Sequence, residues 1–565
     1  MRKISAALCL LMLCSASAMQ AQTPTSTVSG IVKDSQGALV QGASFQITNT
    51  ALGTTREGVT NPDEAYSIPD LLPGEYRAEV TSKGFATLQY SGIILEAERT
   101  FTLDATLAPA SQVTTVNVTA ANQTVDVSQS MLQGQITEST IGSIPLNGRN
   151  FLELAYLIPG NRPAPTFDPT KTNTLEVSSA GGFGRGGNIT IAGGDNNDEV
   201  VGGTLSDLPE DSIGEFQIAT ARFTAEVGRS GNSIVNIITR SGTNAFHGSA
   251  FMFEKNRNLQ ALPATFSAGQ PKPPFDREQY GGSVGGPLQR DKAWWFYSAE
   301  FRDRNSSIQT GTRNLTTDAI NNTAAAAPLR NFLLSNRVDY HMNAANSISG
   351  RYSFNRSTDT AQASASSETP LSTAAERQNS LNRFNSIEAA WTSAMSPSKA
   401  NEFSYHYDNF YNDIPPYPGA VPLTDPSLII GSELIFPDLA DGSNFNLPQE
   451  TFLTRNQVRD GFTLATGRHA LKLGAEFQHY TAHGIINPFG NGTIILTSDF
   501  GFADLNGDKV INDLDIPIAV AIHSTGPVVP VPIPQVGDSY TAFFCAGRLA
   551  AASQSDPQPG AALGV

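Results

Sequence analysis

The sequence predicts a mainly β, exported protein that is built from several domains. Its 565 residues exceed the length of one ordinary domain. Apolar and polar residues alternate in short segments along much of the chain, which is the period of a β-strand. Charged residues make up only 16% of the chain, whereas Gly (49) and Pro (34) supply turns between the segments. The net charge of −16 leaves no basic surplus, which argues against nucleic-acid binding.

Residues 1–21 are predicted to be a signal peptide. Arg2 and Lys3 form a basic n-region, and the apolar run that follows, residues 4–14, has the length of an h-region. The run is shorter than the about 20 apolar residues that a transmembrane helix needs. Once this segment is removed, Cys545 is the sole cysteine, so we expect no intramolecular disulfide.

Residues 22–110 are predicted to form a small β-sandwich. The segments 28–32 and 43–47 alternate between apolar and polar residues, and the turn 72–74 precedes a further alternating segment at 76–80. Short strands of this kind, separated by Gly and Pro turns, are typical of all-β domains.

This segment resembles the carboxypeptidase regulatory-like domain. The residues that carry the resemblance are Gly30 to Asp34, Gly42, Ala43, Tyr66, Leu72 to Tyr76, Gly84 and Phe85. In that family the domain is a non-catalytic sandwich. The chain contains no H-x-x-E or H-E-x-x-H pattern that would supply zinc ligands.

Residues 111–120 are predicted to be a linker that contains a β-branched strand. An extended strand of this kind can be captured by the sheet edge of another protein. An ordinary strand or linker is the alternative. The candidate contact residues are Val113, Thr114, Thr115, Val116, Asn117 and Val118.

Residues 121–244 mix short helices and strands and carry two distinctive segments, Pro-Leu-Asn-Gly-Arg-Asn at 145–150 and Thr-Arg-Ser-Gly-Thr-Asn at 239–244. This pattern resembles the plug domain of TonB-dependent outer-membrane receptors, in particular the Oar-like subgroup that carries a regulatory-like domain. The arginines are candidates for plug–barrel contacts, with plain surface arginines as the alternative. The motif residues are Pro145, Leu146, Asn147, Gly148, Arg149, Asn150, Arg229 and Arg240.

Residues 245–544 carry the alternation expected of transmembrane barrel strands. Val338, Tyr340 and Met342 alternate with polar residues, and other segments repeat the pattern over about 10 residues. Alternation alone also fits a soluble β-sandwich. The start of this region, residues 279–297, resembles the first barrel strands of Oar-like receptors, which favours the membrane interpretation.

Together these resemblances imply a fold with three parts: an N-terminal β-sandwich, a small α+β plug and the N-terminal part of a large antiparallel transmembrane β-barrel. They imply a location in the outer membrane, with the N-terminal domain in the periplasm and the barrel in contact with lipid. The implied function is energised uptake of a large solute, such as a carbohydrate or a siderophore-like compound. The implied partners are an inner-membrane TonB-type protein and an extracellular ligand.

Residues 545–565 are predicted to be an aberrant tail. The segment 538–544 resembles the start of a recurrent Oar-like strand, but the composition then shifts abruptly to Ala, Ser, Pro and Gly. We therefore expect a C-terminally truncated barrel with about half of the 22 strands of a plugged transporter.

A calcium site is predicted at 504–515. Oxygen-bearing residues and one backbone carbonyl fall at positions 1, 3, 5, 7, 9 and 12 of an EF-hand-type loop, which resembles the dockerin version. Lys509 departs from the Gly expected at position 6. The alternative is a metal-free loop rich in Asp and Asn. The candidate ligands are Asp504, Asn506, Asp508, Val510, Asn512 and Asp515.

The sequence predicts no catalytic site. The seven His residues are scattered, and no Ser/His/Asp or Cys/His set can be argued from their spacing. A non-enzymatic protein without an obligatory cofactor is therefore expected. The alternative function is an outer-membrane surface binding or adhesion module that performs no transport.

Overall fold

The computed structural model describes most of the chain between residues 25 and 547. The predicted signal peptide, most of the predicted tail and the predicted calcium loop lie outside the described residues. Within 25–547 the description leaves out 61–64, 98, 111–114, 120–131, 165–174, 200–202, 262–271, 273, 314–319, 363–370, 374–375, 397, 418–432, 436–438, 443, 445–446, 467–468, 487–492, 497–501, 504–515, 518 and 524–530.

The N-terminal domain is a β-sandwich of two sheets. One sheet has the order β4-β1-β7, with β8 also pairing with β1, and the other has the order β3-β2-β5-β6-β9. Its strands are β1 (Ser26–Asp34), β2 (Ser44–Asn49), β3 (Thr55–Val59), β4 (Ala65–Leu71), β5 (Gly74–Thr81), β6 (Thr87–Leu95), β7 (Thr100–Thr102), β8 (Ala105–Leu107) and β9 (Thr115–Thr119).

Alternation along these strands fills the space between the two sheets. Val28 and Val32 of β1 are fully buried, and so are Phe45 and Ile47 of β2. Gly30 lies between the two valines, and a Cβ at this position would stand 2.1 Å from the carbonyl oxygen of Leu103. Only glycine therefore lets β1 approach this part of the chain so closely.

The plug domain, defined here as residues 132–239, is built on a five-stranded sheet with the order β10-β15-β16-β13-β14. A short helix, α1 (Glu138–Ile141), and a 3₁₀ helix at Phe151–Leu157 accompany the sheet. All six residues of the strand Ile234–Thr239 are buried. Its strands are β10 (Leu132–Thr137), β11 (Asn161–Pro163), β12 (Val177–Ser179), β13 (Asn188–Ile191), β14 (Gly194–Asp195), β15 (Ile213–Ala221) and β16 (Ile234–Thr239).

The rest of the chain is dominated by one antiparallel sheet of ten strands, called the barrel sheet below. Its order is β17-β18-β19-β20-β21-β23-β24-β27-β28-β33, so neighbours in sequence are neighbours in space. The strands are β17 (His247–Asn256), β18 (Phe275–Gln289), β19 (Ala293–Arg313), β20 (Ile320–Asn343), β21 (Asn346–Gln362), β23 (Gln378–Ser396), β24 (Lys399–Ile414), β27 (Gln449–Thr466), β28 (His469–Ile486) and β33 (Val531–Gly547).

Smaller strands lie in the connections of the barrel sheet. They form a five-stranded sheet, β22-β26-β25-β29-β32, and the pair β30-β31. Their bounds are β22 (Leu371–Ser372), β25 (Glu433–Ile435), β26 (Leu439–Gly442), β29 (Thr493–Leu496), β30 (Phe502–Ala503), β31 (Ile516–Pro517) and β32 (Ala519–His523).

The two ends of the barrel sheet differ in the length of their connections. Tight turns at 289–293, 343–346 and 396–399 join strands at one end, called the tight-turn end below. Long connections join them at the other end, such as 414–449. Outer-membrane barrels have short periplasmic turns and longer extracellular loops, and this asymmetry fits that pattern.

The two faces of the barrel sheet differ in polarity. On β19, Glu300 and Arg302 point to one face and are buried, while Phe301 between them is 40% exposed on the other. Tyr280 stacks on Phe301 across the strands, and Phe332 continues this outer aromatic row. Apolar-out, polar-in alternation is expected where lipid covers the outer face. The predicted fold class is confirmed: the chain is mainly β, with a sandwich, a plug and an open, barrel-like sheet. Within the described residues, β17 and β33 are the two edges of that sheet.

Among the described helices, none has both the length and the apolar character needed to cross a membrane.

Candidate functional site

The candidate site is the interface between the plug domain and the polar face of the barrel sheet. Four arginines of the barrel strands donate hydrogen bonds to backbone carbonyl oxygens of the plug, at 2.8–3.0 Å. These bonds do not depend on the identity of the plug side chains, because the arginines contact the plug backbone. They therefore position the plug as a whole. The donor–acceptor pairs are Arg302 to Arg149, Arg337 to Thr239, Arg455 to Asp195 and Arg459 to Gly193.

The first group of buried charges is called the Arg149 cluster. Arg149 reaches Glu300 of β19 at 3.1 Å, and it also pairs with Asp211 at 2.6 Å and with Glu210 at 3.4 Å. Arg302 of β19 in turn pairs with Glu300 at 2.5 Å and with Asp207 of the plug. The cluster therefore alternates charges from the plug and from the barrel sheet. Its members are Arg149, Asp207, Glu210, Asp211, Glu300 and Arg302.

The backbone of Arg149 is strained in a way that directs its side chain at the barrel. Its φ of 53° lies in the left-handed region, which costs a non-glycine residue of order 1–3 kcal/mol. The guanidinium also lies over the ring of Phe251 of β17, 3.9 Å from the ring centroid. Ion pairs and a cation–π contact together hold this conformation.

The rest of the 145–150 motif also meets the barrel sheet. The backbone carbonyl of Asn147 accepts a hydrogen bond from Arg277, and the carbonyl of Gly148 accepts one from Gln279 at 3.1 Å. The side chain of Asn150 instead accepts from the backbone N–H of Leu152 at 3.0 Å, which caps the 3₁₀ helix that follows. One short loop thus links the plug core to β18 and β19.

Burial and charge set the ionisation of this cluster. Burial alone would lower the pKa of Arg149, but the nearby carboxylates, Glu300 foremost, raise that pKa above its usual value. Burial raises the pKa of Glu210 to about 7, and the like charges of Glu300 and Asp211 add to this rise. One carboxylate oxygen of Glu210, Oε2, is buried with no hydrogen-bond acceptor or donor among the described residues. Glu210 therefore takes up a proton more readily than an ordinary glutamate does.

A second group of charges, in which Asp195 and Arg455 are buried and Arg229 and Glu199 are partly exposed, is called the Asp195 cluster. Asp195, at the end of β14, pairs with Arg229 of the plug and with Arg455 of β27, the latter at 3.4 Å. Arg455 is fully buried and also reaches Glu199 at 3.2 Å. Gln478 of β28 donates to Asp195 at 2.9 Å. The cluster comprises Asp195, Glu199, Arg229, Arg455 and Gln478.

The ionisation of Asp195 is opposite to that of Glu210. Burial alone would raise its pKa, but the guanidinium groups of Arg455 and Arg229 lower the pKa of Asp195 to about 2. Arg229, like Arg149, has a left-handed backbone, with a φ of 55°. Burial would lower the pKa of Arg229, and the carboxylates of Asp195 and Glu199 raise it instead. Asp195 and Arg229 therefore stay ionised over the physiological range.

The plug approaches the barrel sheet closely at Gly194. A Cβ on this residue would stand 2.2 Å from Nδ1 of His406, a residue of β24 that is 1% exposed. A residue with a side chain at position 194 would therefore clash with the ring of His406. Beside this contact lies a polar cavity between plug and barrel sheet, whose lining includes Gln133, Asn188, Gln217, Arg229, Gln457 and Glu476.

Arg240, the third predicted arginine, is placed differently. Its ion-pair partner is Glu138 of α1 in the plug, at 2.6 Å, and it donates to the carbonyl of Asp211 at 3.3 Å. Its contact with the barrel sheet is the ring of Phe296, whose centroid lies 5.1 Å from the guanidinium carbon. Arg149 and Arg229 thus bond polar groups of the barrel sheet, whereas Arg240 mainly braces the plug.

Sequence reasoning missed the barrel partners of these arginines. Glu300 and Arg302 lie at inward positions of β19, on either side of the outward Phe301. Arg455 lies at an inward position of β27, between the partly exposed Thr454 and Asn456. A charged residue at an inward position of a barrel strand needs a polar lumen or a charged partner. Charged residues at inward strand positions could therefore have been identified from the sequence as candidates for plug contacts. The sequence does not show which plug residue each of them meets.

The apolar contact between plug and barrel sheet is small by comparison. One buried group joins Leu205 of the plug to Phe384, Phe410 and Leu453 of the barrel strands. An interface made mostly of ion pairs and hydrogen bonds can exchange its partners for water when the plug shifts, whereas an apolar interface would have to expose apolar surface. The arrangement therefore holds the plug in place and is also compatible with its displacement.

The remaining predicted sites fall partly or wholly outside this interface. Val113 and Thr114 lie outside the described residues, and Thr115 to Val118 belong to β9, which pairs in parallel with β6 at the edge of a sandwich sheet. The predicted calcium ligands at 504–515 lie outside the described residues, and that site stays a prediction. In the part of the chain that the structure describes, no group of three His, Cys, Asp or Glu could hold a metal ion.

Family comparisons match two regions of the chain. Residues 27–108 match the family described as carboxypeptidase regulatory-like domain. Residues 238–331 and 314–514 match the family described as outer membrane beta barrel domain. The first match coincides with the sandwich, and the second begins at the end of the plug and covers most of the barrel sheet.

Individual relatives point the same way. The chain is 27% identical over 290 residues to the TonB-dependent transporter Oar of Myxococcus xanthus, an alignment that covers 48% of this chain and 26% of Oar. The structure resembles that of the outer membrane transporter YddB from Escherichia coli, with a TM-score of 0.52 and 10% identity over 74% of this chain and 54% of YddB. The alignment with Oar, the curated relative, spans about a quarter of the length of Oar. The YddB likeness supports the fold alone.

Proposed function

This chain is a homologue of TonB-dependent outer-membrane transporters, and on that premise we propose that it takes part in the energised uptake of a large solute across the outer membrane. The family matches also indicate the outer membrane as its location. The observation that carries the proposal is the plug domain, held against the polar face of a barrel sheet by two separate clusters of buried ion pairs.

The mechanism follows from the polarity of that interface. The plug is tethered to β19 through the Arg149 cluster and to β27 and β28 through the Asp195 cluster. A pull on the chain before the plug would have to exchange these bonds for bonds to water, which costs less than exposing an apolar interface. We infer that an inner-membrane TonB-type protein supplies the pull from the periplasm, at the tight-turn end.

The segment 113–118 is the proposed point of contact with that protein. Strand addition relies on backbone N–H and C=O groups, so a proline should impair it wherever the lost N–H is needed. We expect the variant Val116→Pro to weaken binding of a purified TonB C-terminal domain to the full chain at least tenfold. The matched control is Val116→Thr, which keeps the N–H and should bind normally.

Binding that is equal in both variants would remove this segment from the proposal. Binding that is lost in both variants would mean that the side chain, not the backbone, is recognised there.

Transport itself needs a separate test, because the solute class rests on the family alone. Cells that express the chain would be given a fluorescent oligosaccharide or a ferric siderophore, with and without TonB. Accumulation that requires TonB supports uptake. Probe that binds to the surface equally in both strains, without accumulation, would instead favour a surface binding module.

A further inference from the structure

The N-terminal sandwich contacts both the plug and the barrel sheet at the tight-turn end. Its loop at 51–53 meets the chain that leaves the plug: the backbone N–H of Asn244 donates to the carbonyl of Ala51 at 3.1 Å, and the side chain of Asn244 donates to Leu52 at 2.8 Å. Asn244 also donates to Asp291, in the turn between β18 and β19, at 2.6 Å. One asparagine thus joins the sandwich to the first tight turn.

A second contact buries a charged residue of the sandwich against the barrel strands. The side chain of Asp70 is 1% exposed and pairs with Arg56 of β3 at 3.2 Å. It hydrogen-bonds to Thr392 near the end of β23, and Glu402 of β24 faces it as a like charge. Tyr76 and His341 line the same cavity. Asp70 also has a left-handed backbone, with a φ of 63°.

A third contact joins the sandwich to β15, the second strand of the plug sheet. The backbone N–H of Ala97 donates to Glu215 of β15 at 3.3 Å, and the carbonyl of Ala97 accepts from Gln217 of β15 at 2.8 Å. Both side chains are buried. The backbone N–H and C=O of Ala97 are therefore both bonded to side chains of β15, those of Glu215 and Gln217.

A chain of polar contacts connects these points. Thr25, before β1, donates to Glu402 of β24. Lys472 of β28 lies 3.8 Å from Glu402 and 2.5 Å from Glu226 of the plug. The sandwich, the barrel sheet and the plug thus share one network at the tight-turn end.

From these contacts we propose that the N-terminal sandwich is a latch, which docks on the tight-turn end of the barrel sheet and holds the plug in place until the sandwich is displaced. The plug cannot move away through this end while Ala97 holds β15 and Asp70 is lodged against β23 and β24. The latch goes beyond the proposed uptake function and does not depend on a TonB-type partner. β9 is a strand of the sandwich. If a TonB-type protein pulls on Thr115–Thr119, the force would therefore act on the latch before it reached the plug.

The test blocks the Asp70 contact from the barrel side, which leaves the sandwich itself unaltered. Thr392→Trp fills the cavity that receives Asp70. The matched control is Met395→Trp, a residue of the same strand that is 52% exposed and outside the cavity. Docking is followed in the full chain, with Cys545→Ser, by energy transfer between dyes on Ser35→Cys and Arg290→Cys. Movement of the plug is followed by hydrogen exchange of the β15 amides.

We expect Thr392→Trp to lower the energy transfer and to speed exchange of the β15 amides at least tenfold, and Met395→Trp to change neither. Gln217→Ala, which removes the bond to Ala97 from the plug side, should speed the exchange in the same direction. An undocked sandwich with unchanged β15 exchange would overturn the latch. So would a sandwich that stays docked in Thr392→Trp, because Asp70 would then not determine docking. Neither result would bear on TonB-dependent uptake.

Discussion

Arg149 is the residue on which the attachment of the plug to β19 depends most directly. Its guanidinium is shared by three carboxylates, two from the plug and one, Glu300, from the barrel sheet. A buried pair of charges adds little net stability, but the loss of one partner leaves the other charge buried and uncompensated. The cluster therefore acts mainly as a position-specific tether.

We expect Arg149→Met to lower the free energy of unfolding of the plug by about 3–5 kcal/mol, because Glu210, Asp211 and Glu300 would lose their shared counter-charge. This loss is measured by urea titration, with hydrogen exchange of the plug amides as the readout. The matched control is Arg162→Met, an exposed arginine of β11, which should change the value by less than about 0.5 kcal/mol. Equal effects of the two variants would show that the Arg149 cluster does not hold the plug.

Glu210 gives the same cluster a dependence on pH. Its pKa rises from 4.5 in the unfolded chain to about 7 in the folded protein, so between these values the folded state holds a proton that the unfolded state releases. The contribution of Glu210 to stability is therefore full below pH 4.5 and is lost as the pH rises to about 7.

The free energy of unfolding, measured at pH 5 and at pH 8, tests whether this contribution falls as the pH rises. Asp70 and Asp207 also have raised pKa values, so they contribute in the same direction, and the comparison must be made between variants. Glu210→Gln, which cannot ionise, should lose less free energy of unfolding than the wild type between the two pH values. A drop of equal size in both proteins would contradict the assignment. Asp195 does not interfere, because its lowered pKa affects stability only below about pH 4.

At the scale of elements, the contact of β14 with β24 fixes how closely the plug can approach the barrel sheet. Gly194 has no side chain, and the ring of His406 occupies the space that a Cβ would need. The same strand end carries Asp195, so any shift of β14 also moves the acceptor of Arg455. A steric contact and an ionic contact are thus coupled through two adjacent residues.

Gly194→Ala should therefore displace β14 and weaken the Asp195 cluster, at a cost of about 1–3 kcal/mol, typical of overpacking in a rigid interior. The matched control is Gly214→Ala on β15, whose added Cβ would meet its nearest neighbour at an ordinary 3.5 Å. The free energy of unfolding of the plug measures both. His406→Ala should recover part of the loss in Gly194→Ala, because it empties the space. No recovery would mean that the clash is not with this ring.

At the scale of the whole molecule, the plug is a bridge between distant parts of one sheet. β19 is the third strand of the barrel sheet, whereas β27 and β28 are the eighth and ninth. The Arg149 cluster and the Asp195 cluster share no residue, and each joins the plug to one of these parts. The two tethers should therefore act independently.

Double variants test this independence. The free-energy losses of Arg149→Met and Arg455→Met should add to within about 0.5 kcal/mol, as expected for sites without shared partners. Arg149→Met and Glu300→Gln, which lie in one cluster, should instead deviate from additivity by about 0.5–3 kcal/mol. Urea titration of the single and double variants provides both values. Strong coupling between the two clusters would mean that the plug moves as one rigid unit when either tether is broken.

The sequence alone determined the class of fold and the order of its parts. A period of two residues sets which side chains share a face of a strand, so alternation predicts the sandwich strand around Phe45 and the barrel strand around Tyr340. The motif at 145–150 indicates the plug, and the sequence predicts Arg149 and Arg229 as candidates for plug–barrel contacts without specifying their partners. These are local patterns, which need no knowledge of where distant residues meet.

Only the tertiary structure decided which residues meet across the interfaces. Arg149 and Glu300 are 151 positions apart, and Asp195 and Gln478 are 283 positions apart, so no local spacing links them. The same holds for the sandwich at the tight-turn end, where Asp70 meets Thr392, and for Gly194, whose lack of a side chain matters only because His406 faces it. Such contacts depend on strand order, register and the seating of the plug, and these follow from the packing of the whole chain.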